Sequence, residues 1–211
     1  LSSFSPESLH FGVFEVGKKQ AGKKRNHVIQ YLALLRGINV GGKNIIKMAD
    51  LKAGFDAMGF SDVMTYIQSG NVLFQSKEKD KAVLTTMIEK GLSKRFNFEA
   101  RIVTVAHKEL SAIVREAPDG FGEDGKSYRY DVIFLKEPLT PQEAMKSVGT
   151  KAGVDTAHAG KQVLYFSRLI AKAMQSHLTK IIGLPVYQNM TIRNWNTTTK
   201  LLELMEGKNG N

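Results

Sequence analysis

The 211-residue chain contains no cysteine. Disulfides, thiolate metal sites and cysteine nucleophiles are therefore excluded, and the composition fits a reducing compartment. No apolar run approaches the ~20 residues needed to span a bilayer, so no membrane association is expected. The first residues lack a basic start, and the apolar stretch Phe11-Gly12-Val13-Phe14 is too short for a signal peptide. A cytoplasmic location is the expectation. No two histidines stand at metal-ligand spacing on one helix, no GxSxG elbow occurs, and Ser69 has no candidate base near it in sequence. No metal, cofactor or catalytic residue is assigned on this basis.

Acidic residues are also in deficit: 30 Lys and Arg stand against 20 Asp and Glu, a net charge of +10. Residues 1–27 hold Lys18, Lys19, Lys23, Lys24 and Arg25 against Glu7 and Glu15, a net +3, which leaves +7 on the remainder. Such a surface attracts phosphates, nucleic acid or anionic lipid, though a generic charge excess for solubility reads the same way. Residues 1–27 are read as a basic N-terminal extension, mobile or foreign to the natural start, and 207–211 as a polar tail.

The rest reads as two similar halves. In the first, 28–117, apolar runs at 28–35, 63–67, 72–74 and 101–105 predict strands. Met48, Leu51, Phe55 and Met58 share one face of a first helix. Val83, Leu84, Met87, Ile88, Gly91, Leu92 and Phe96 recur at the spacing of a second. Leu110, Ile113 and Val114 mark a short third. Gln68-Ser69-Gly70-Asn71 reads as a tight hairpin, with Gly and Asn where positive φ is needed. The Gly-, Asp- and Pro-rich segment 118–127 is a linker.

The second half, 128–206, has strands at 128–135, 154–159, 162–166 and 188–193. Thr140-Pro141-Gln142-Glu143 is a capping box with proline at the first helical position. Ala173, Met174, His177, Leu178, Ile181 and Ile182 predict one helix, and 197–205 another. Each half repeats a βαββαβ order, so the fold class is α+β, two ferredoxin-like halves in one protein. One continuous α+β sheet is the alternative.

Gly37 to Asn44 reads GxxxxGKN, one residue short of the phosphate-binding P-loop. Asn44 replaces the hydroxyl that coordinates Mg²⁺, the helix starts late, and Asp131 begins its strand rather than ending one. A nucleotide triphosphatase is therefore disfavoured. Leu34-Leu35-Arg36-Gly37-Ile38-Asn39-Val40-Gly41-Gly42-Lys43-Asn44, then Lys47-Met48-Ala49-Asp50-Leu51, then Thr65-Tyr66-Ile67-Gln68-Ser69-Gly70-Asn71-Val72-Leu73-Phe74, resemble a bacterial family called domain of unknown function 1697. Thr191-Ile192-Arg193-Asn194-Trp195-Asn196-Thr197, with Lys200 and Leu201, is similar to that family's closing motif. The resemblance covers about residues 28–206 and implies two ferredoxin-like halves with no established activity.

The motifs are polar and sit at strand ends or turns, where function commonly lies. Arg36 and Lys43 offer charge, Gly37, Gly41 and Gly42 backbone donors, and Asn39, Gln68, Ser69 and Asn71 neutral hydrogen bonds. Arg193 leaves the last strand; Asn194, Trp195, Asn196, Thr197 and Lys200 open the last helix, itself a potential anion site. Converging, they would bind a phosphate or carboxylate, with Arg36 or Arg193 as clamp. The candidate partners are then a phosphate-bearing small molecule or nucleic acid. The alternatives are an enzyme acting on an anionic metabolite, and a structural or protein-interaction module. Under that last reading the Asn and Thr residues are ordinary caps, Trp195 is a buried anchor, and Arg36 ties the halves together through carbonyls.

Overall fold

Tyr31 to Leu35 are five consecutive buried residues, the pattern of a strand covered on both faces. The computed structural model describes residues 28–207; the N-terminal extension and the end of the tail lie outside the described residues. The first half runs β1 (Ile29–Leu35), α1 (Met48–Ala57), β2 (Ser61–Tyr66), β3 (Asn71–Ser76), α2 (Lys81–Phe96), β4 (Ile102–Ala106) and α3 (His107–Arg115). The second runs β5 (Tyr128–Leu135), α4 (Pro141–Ser147), β6 (Asp155–Ala159), β7 (Val163–Leu169), α5 (Leu178–Ile181), β8 (Met190–Asn194) and α6 (Trp195–Met205). Two 3-10 turns, Ile170–Gln175 and Pro185–Asn189, flank α5.

Each half forms one antiparallel four-stranded sheet, in the order β2-β3-β1-β4 and β6-β7-β5-β8. This is the ferredoxin-like arrangement twice over. Strand alternation sorts side chains into layers. Tyr31, Ala33 and Leu35 pack against Leu51 and Phe55 of α1 and Leu84, Ile88 and Leu92 of α2. Leu32 and Leu34 point the other way, into a cluster shared with Val132, Phe134, Val163 and Tyr165 of the second sheet and Leu201 and Met205 of α6. Ile133, Leu135, Leu164 and Phe166 turn outward onto α4 and α5. The two sheets thus share an inner core, and each carries helices outside. Full burial of a ring such as Phe55 or Phe134 contributes on the order of 1.5–3 kcal/mol.

Local chemistry sets the helix ends. Asp80 accepts hydrogen bonds from the N–H groups of Ala82 (2.8 Å) and Val83 (3.2 Å) to start α2. Thr140 and Glu143 close the expected capping box on α4. Three expectations fail. The helix expected over 173–182 is broken: Ser176 is extended, and α5 has four residues. The His177 N–H donates to Asp155 Oδ2 (2.9 Å), and the Leu178 N–H to Ser176 Oγ (3.2 Å). Those donors would otherwise bond the preceding helical turn, so Met174 projects into solvent, 99% exposed. On α2, Val83 and Met87 face outward, because the buried stripe is only Leu84, Thr85, Ile88 and Leu92 wide. At the first hairpin the positive φ values fall on Ile67 (48°) and Gly70 (75°), not on Asn71. Asn71 is the first residue of β3, paired with Tyr66.

Candidate functional site

The three polar motifs do meet, around a buried guanidinium. Arg193 lies on the inner face of β8, across from Val132. Its Nε donates to Asn71 Oδ1 (2.5 Å) and its Nη1 to Thr191 Oγ1 (3.2 Å) and the Ile192 carbonyl (2.8 Å). Its Nη2 reaches the carbonyls of Leu35 (2.7 Å), Ser69 (2.9 Å) and Gly70 (3.3 Å). Asn71 is fixed in turn, donating from Nδ2 to the Tyr66 carbonyl and Ser69 Oγ. No carboxylate takes part, and burial pushes the Arg193 pKa down to about 10. Every N–H direction of the fork is used inside the protein. Arg193 and Asn71 are therefore a lock between the halves, not an anion clamp. The role foreseen for Arg36 as a tie through carbonyls falls to Arg193. Arg36 itself lies over the Tyr187 ring, 4.5 Å from its centroid, a cation–π contact between the halves.

The 36–44 loop holds its own shape. Gly37, Asn39, Gly41, Gly42 and Asn44 all have positive φ. Asn39 Nδ2 donates to the carbonyls of Ile46 (3.0 Å) and Gln68 (2.9 Å), its Oδ1 accepts from the Ile46 N–H, and Asn44 Nδ2 donates to the Gly37 carbonyl. Lys43 and Gln68 are exposed, and Ser69 is half-buried. Gln68 thus meets the loop through its backbone, not its side chain.

The closing motif supplies part of a different place. Asn194 caps α6, its Oδ1 accepting from the Thr197 N–H (2.7 Å). Thr197 is buried, and Lys200 is paired with Glu203 at 3.0 Å. Trp195 packs edge-on against Phe121, 5.2 Å between ring centres, and a Cβ on Gly122 would meet its Nε1 at 2.2 Å. It is half-buried, packed against the inner core on one side and open to solvent on the other, rather than the fully buried anchor of the structural alternative. Asn194, Trp195 and Asn196 also line an outer cleft of about 450 Å³, where β8 passes into α6.

Arg129, Asp131 and Arg168 line the same cleft. The strand registers place them: Arg129 and Asp155 lie opposite Arg168 on its two sides, and Asp131 lies opposite Asn194. Asp131 Oδ2 is 3.4 Å from Arg168 Nη2, longer than the ~2.7–2.9 Å of a strong charge-assisted hydrogen bond. Among the described residues, four buried side-chain atoms make no hydrogen bond, and three are in this row: Asp131 Oδ2, Asp155 Oδ1 and Arg168 Nε. Burial raises the Asp131 pKa, against the opposing pull of Arg168 and then Arg129. Sequence reasoning passed over Arg129 and Arg168, and met Asp131 only as a rejected metal-binding aspartate. The available signal was the alternation Arg129-Tyr130-Asp131, which puts two opposite charges on one face just before the buried run Val132 to Leu135.

A second cavity, of about 200 Å³, lies in the seam between the halves and is lined by Lys81, Thr85 and Lys136. Its cations are engaged: Lys81 with Glu109 (2.7 Å) and Glu137 (3.4 Å), Lys136 with Glu89 (2.6 Å). Among the described residues, no group of three His, Asp or Glu is arranged to hold a metal, and no helix is long and apolar enough to cross a membrane.

Comparison with known proteins places this arrangement. No functionally curated protein matches significantly. Among solved structures, the chain is similar to the conserved bacterial protein SP0830 from Streptococcus pneumoniae, with 26% identity and a TM-score of 0.76 over 85% of this chain and 99% of that one. The family described as protein of unknown function (DUF1697) matches residues 28–165, which span the loop and hairpin motifs and most of both sheets. The chain belongs to that family.

Proposed function

We propose that the protein binds a small anionic ligand, bearing a phosphate or carboxylate, in the outer cleft between β5, β7 and the start of α6. The observation that carries this reading is the convergence of Arg129 and Arg168 with Asn194 and Asn196 on one cleft of about 450 Å³. That size lies within the range of small-molecule sites. Two guanidinium groups on adjacent strands offer forked donors that match carboxylate and phosphate oxygens. The 36–44 loop does not line this cleft, so the anion role moves from the loop to the second sheet. A buried carboxylate at the site suits a small molecule better than a nucleic acid backbone, which presents phosphates alone.

Trp195 is the single tryptophan of the chain and lines the cleft, so its fluorescence is a direct reporter. Titration with inorganic phosphate, citrate and nucleoside monophosphates at low salt is expected to give a saturable change for at least one of them. Arg129→Gln and Arg168→Gln each weaken it by about tenfold, the loss of one charge-assisted contact. Absence of any saturable signal or binding heat up to about 10 mM, a Kd that corresponds to a binding free energy of only about −3 kcal/mol, ends this reading.

Asp131 favours a second reading, an enzyme acting on an anionic metabolite. A carboxyl whose pKa is raised by burial, beside two guanidinium groups, is the kind of group that acid–base catalysis uses. Turnover of a bound phosphate ester that Asp131→Asn abolishes, with binding retained, would separate the two.

A further inference from the structure

We infer that the outer cleft takes an amino-acid-like zwitterion, whose anionic groups meet Arg129 and Arg168 and whose ammonium group meets the Asp131 carboxylate. This rests on the anion-binding reading of the same cleft and narrows its ligand class.

The floor of the cleft is not cationic. Asp131 lines it with a side chain nine-tenths buried, and its Oδ2 accepts no hydrogen bond. A buried acceptor left without a donor is costly, so a ligand that brings an N–H there gains more than one that brings only oxygens. A pure polyanion seated on Arg168 would face Asp131, whose Oδ2 lies 3.4 Å from that guanidinium, and be repelled by it.

Among the described residues, Asp131 is the one carboxylate within ion-pair distance of Arg168. Asp155 stands directly across the β6–β7 ladder from Arg168, held by the N–H groups of Lys151 (3.1 Å) and His177 (2.9 Å). Asp155 is outside the cleft lining and Asp131 is inside it. The inner carboxylate is thus the one presented to a ligand. Arg129 and Arg168 with Asp131 leave the cleft at net +1. A ligand with two anionic groups and one ammonium complements all three charges. The order in depth is also defined: Asp131 is buried and Arg129 exposed, so the ammonium enters first and the distal anionic group stays at the rim.

The test pairs ligands that differ only in the amine: L-aspartate against succinate, and L-glutamate against glutarate, followed by Trp195 fluorescence and calorimetry. The expected result is tighter binding of the amine-bearing member by about tenfold or more, one charge-assisted hydrogen bond. Asp131→Asn, its folding checked by melting, removes the preference, and Arg129→Gln weakens both members alike. Equal or tighter binding of succinate or glutarate to the unaltered protein overturns the inference. So does binding of inorganic phosphate with none of the four, which leaves the anion reading standing. Failure of all five also overturns it, while the anion reading then rests on citrate and the nucleoside monophosphates and ends only if they fail too.

Discussion

Replacing Arg193 with methionine removes the lock while keeping much of its apolar stem volume. Four of its six acceptors belong to the first half: Asn71 Oδ1 and the carbonyls of Leu35, Ser69 and Gly70. The Gly70 carbonyl keeps the Leu35 N–H (2.8 Å); each of the other three, left unsatisfied, costs about 1–3 kcal/mol, a gross loss of roughly 3–9 kcal/mol before relaxation. The lost charge offsets part of this. Burial lowers the Arg193 pKa from 12.5 to about 10, which corresponds to about 3 kcal/mol of charge penalty relieved. The expected net destabilisation is about 3–5 kcal/mol, in line with breaking other buried charged networks. Urea unfolding followed by far-UV circular dichroism and Trp195 fluorescence measures it. Because the partners are neutral and buried, the loss should persist in about 1 M salt. A double-mutant cycle with Asn71→Ala should show coupling above about 1 kcal/mol. A loss below about 1 kcal/mol, or one that salt abolishes, refutes the lock.

Asp131→Asn is expected to raise the melting temperature at pH 8. A carboxyl whose pKa is raised in the folded state contributes most below its unfolded value, and that contribution is lost as pH rises through the folded one. The variant's advantage should therefore shrink towards pH 4, and an equal gap at both pH values refutes the assignment. Ile67 sits at φ 48° and is 48% exposed; a branched side chain there costs about 1–2 kcal/mol. Ile67→Asn should stabilise by about 1 kcal/mol, and a lower melting temperature would count against strain at this turn.

Most strands were legible because covered faces demand apolar runs, as in Tyr31 to Leu35 and Val132 to Leu135. The α4 start was legible because a capping box is a local chemical fact of four residues. The break at Ser176 was not, because one of its causes is Asp155 on β6, which holds the N–H of His177 from 22 residues away. The same limit governs the site. Arg193, Asn71 and Leu35 were all picked out as polar motif or strand end, yet their roles depend on contacts across 122 and 158 residues. Arg129, Asp131 and Arg168 were missed as a group because only the strand registers bring β5 and β7 side chains onto one face.

The Arg193 lock also dictates an order of events during synthesis. All four strands of the first sheet are complete at Ala106, but the guanidinium that bonds its Leu35 and Ser69 carbonyls is still 87 residues away. At ~5–20 residues per second, the ribosome needs roughly 4–17 s to deliver it. Throughout that interval Leu32, Leu34, Val103 and Val105 have no second sheet to cover them. The nascent first half is accordingly expected to expose that apolar face until the second sheet forms, and a chain truncated before β8 should be cleaved by added protease faster than the full chain.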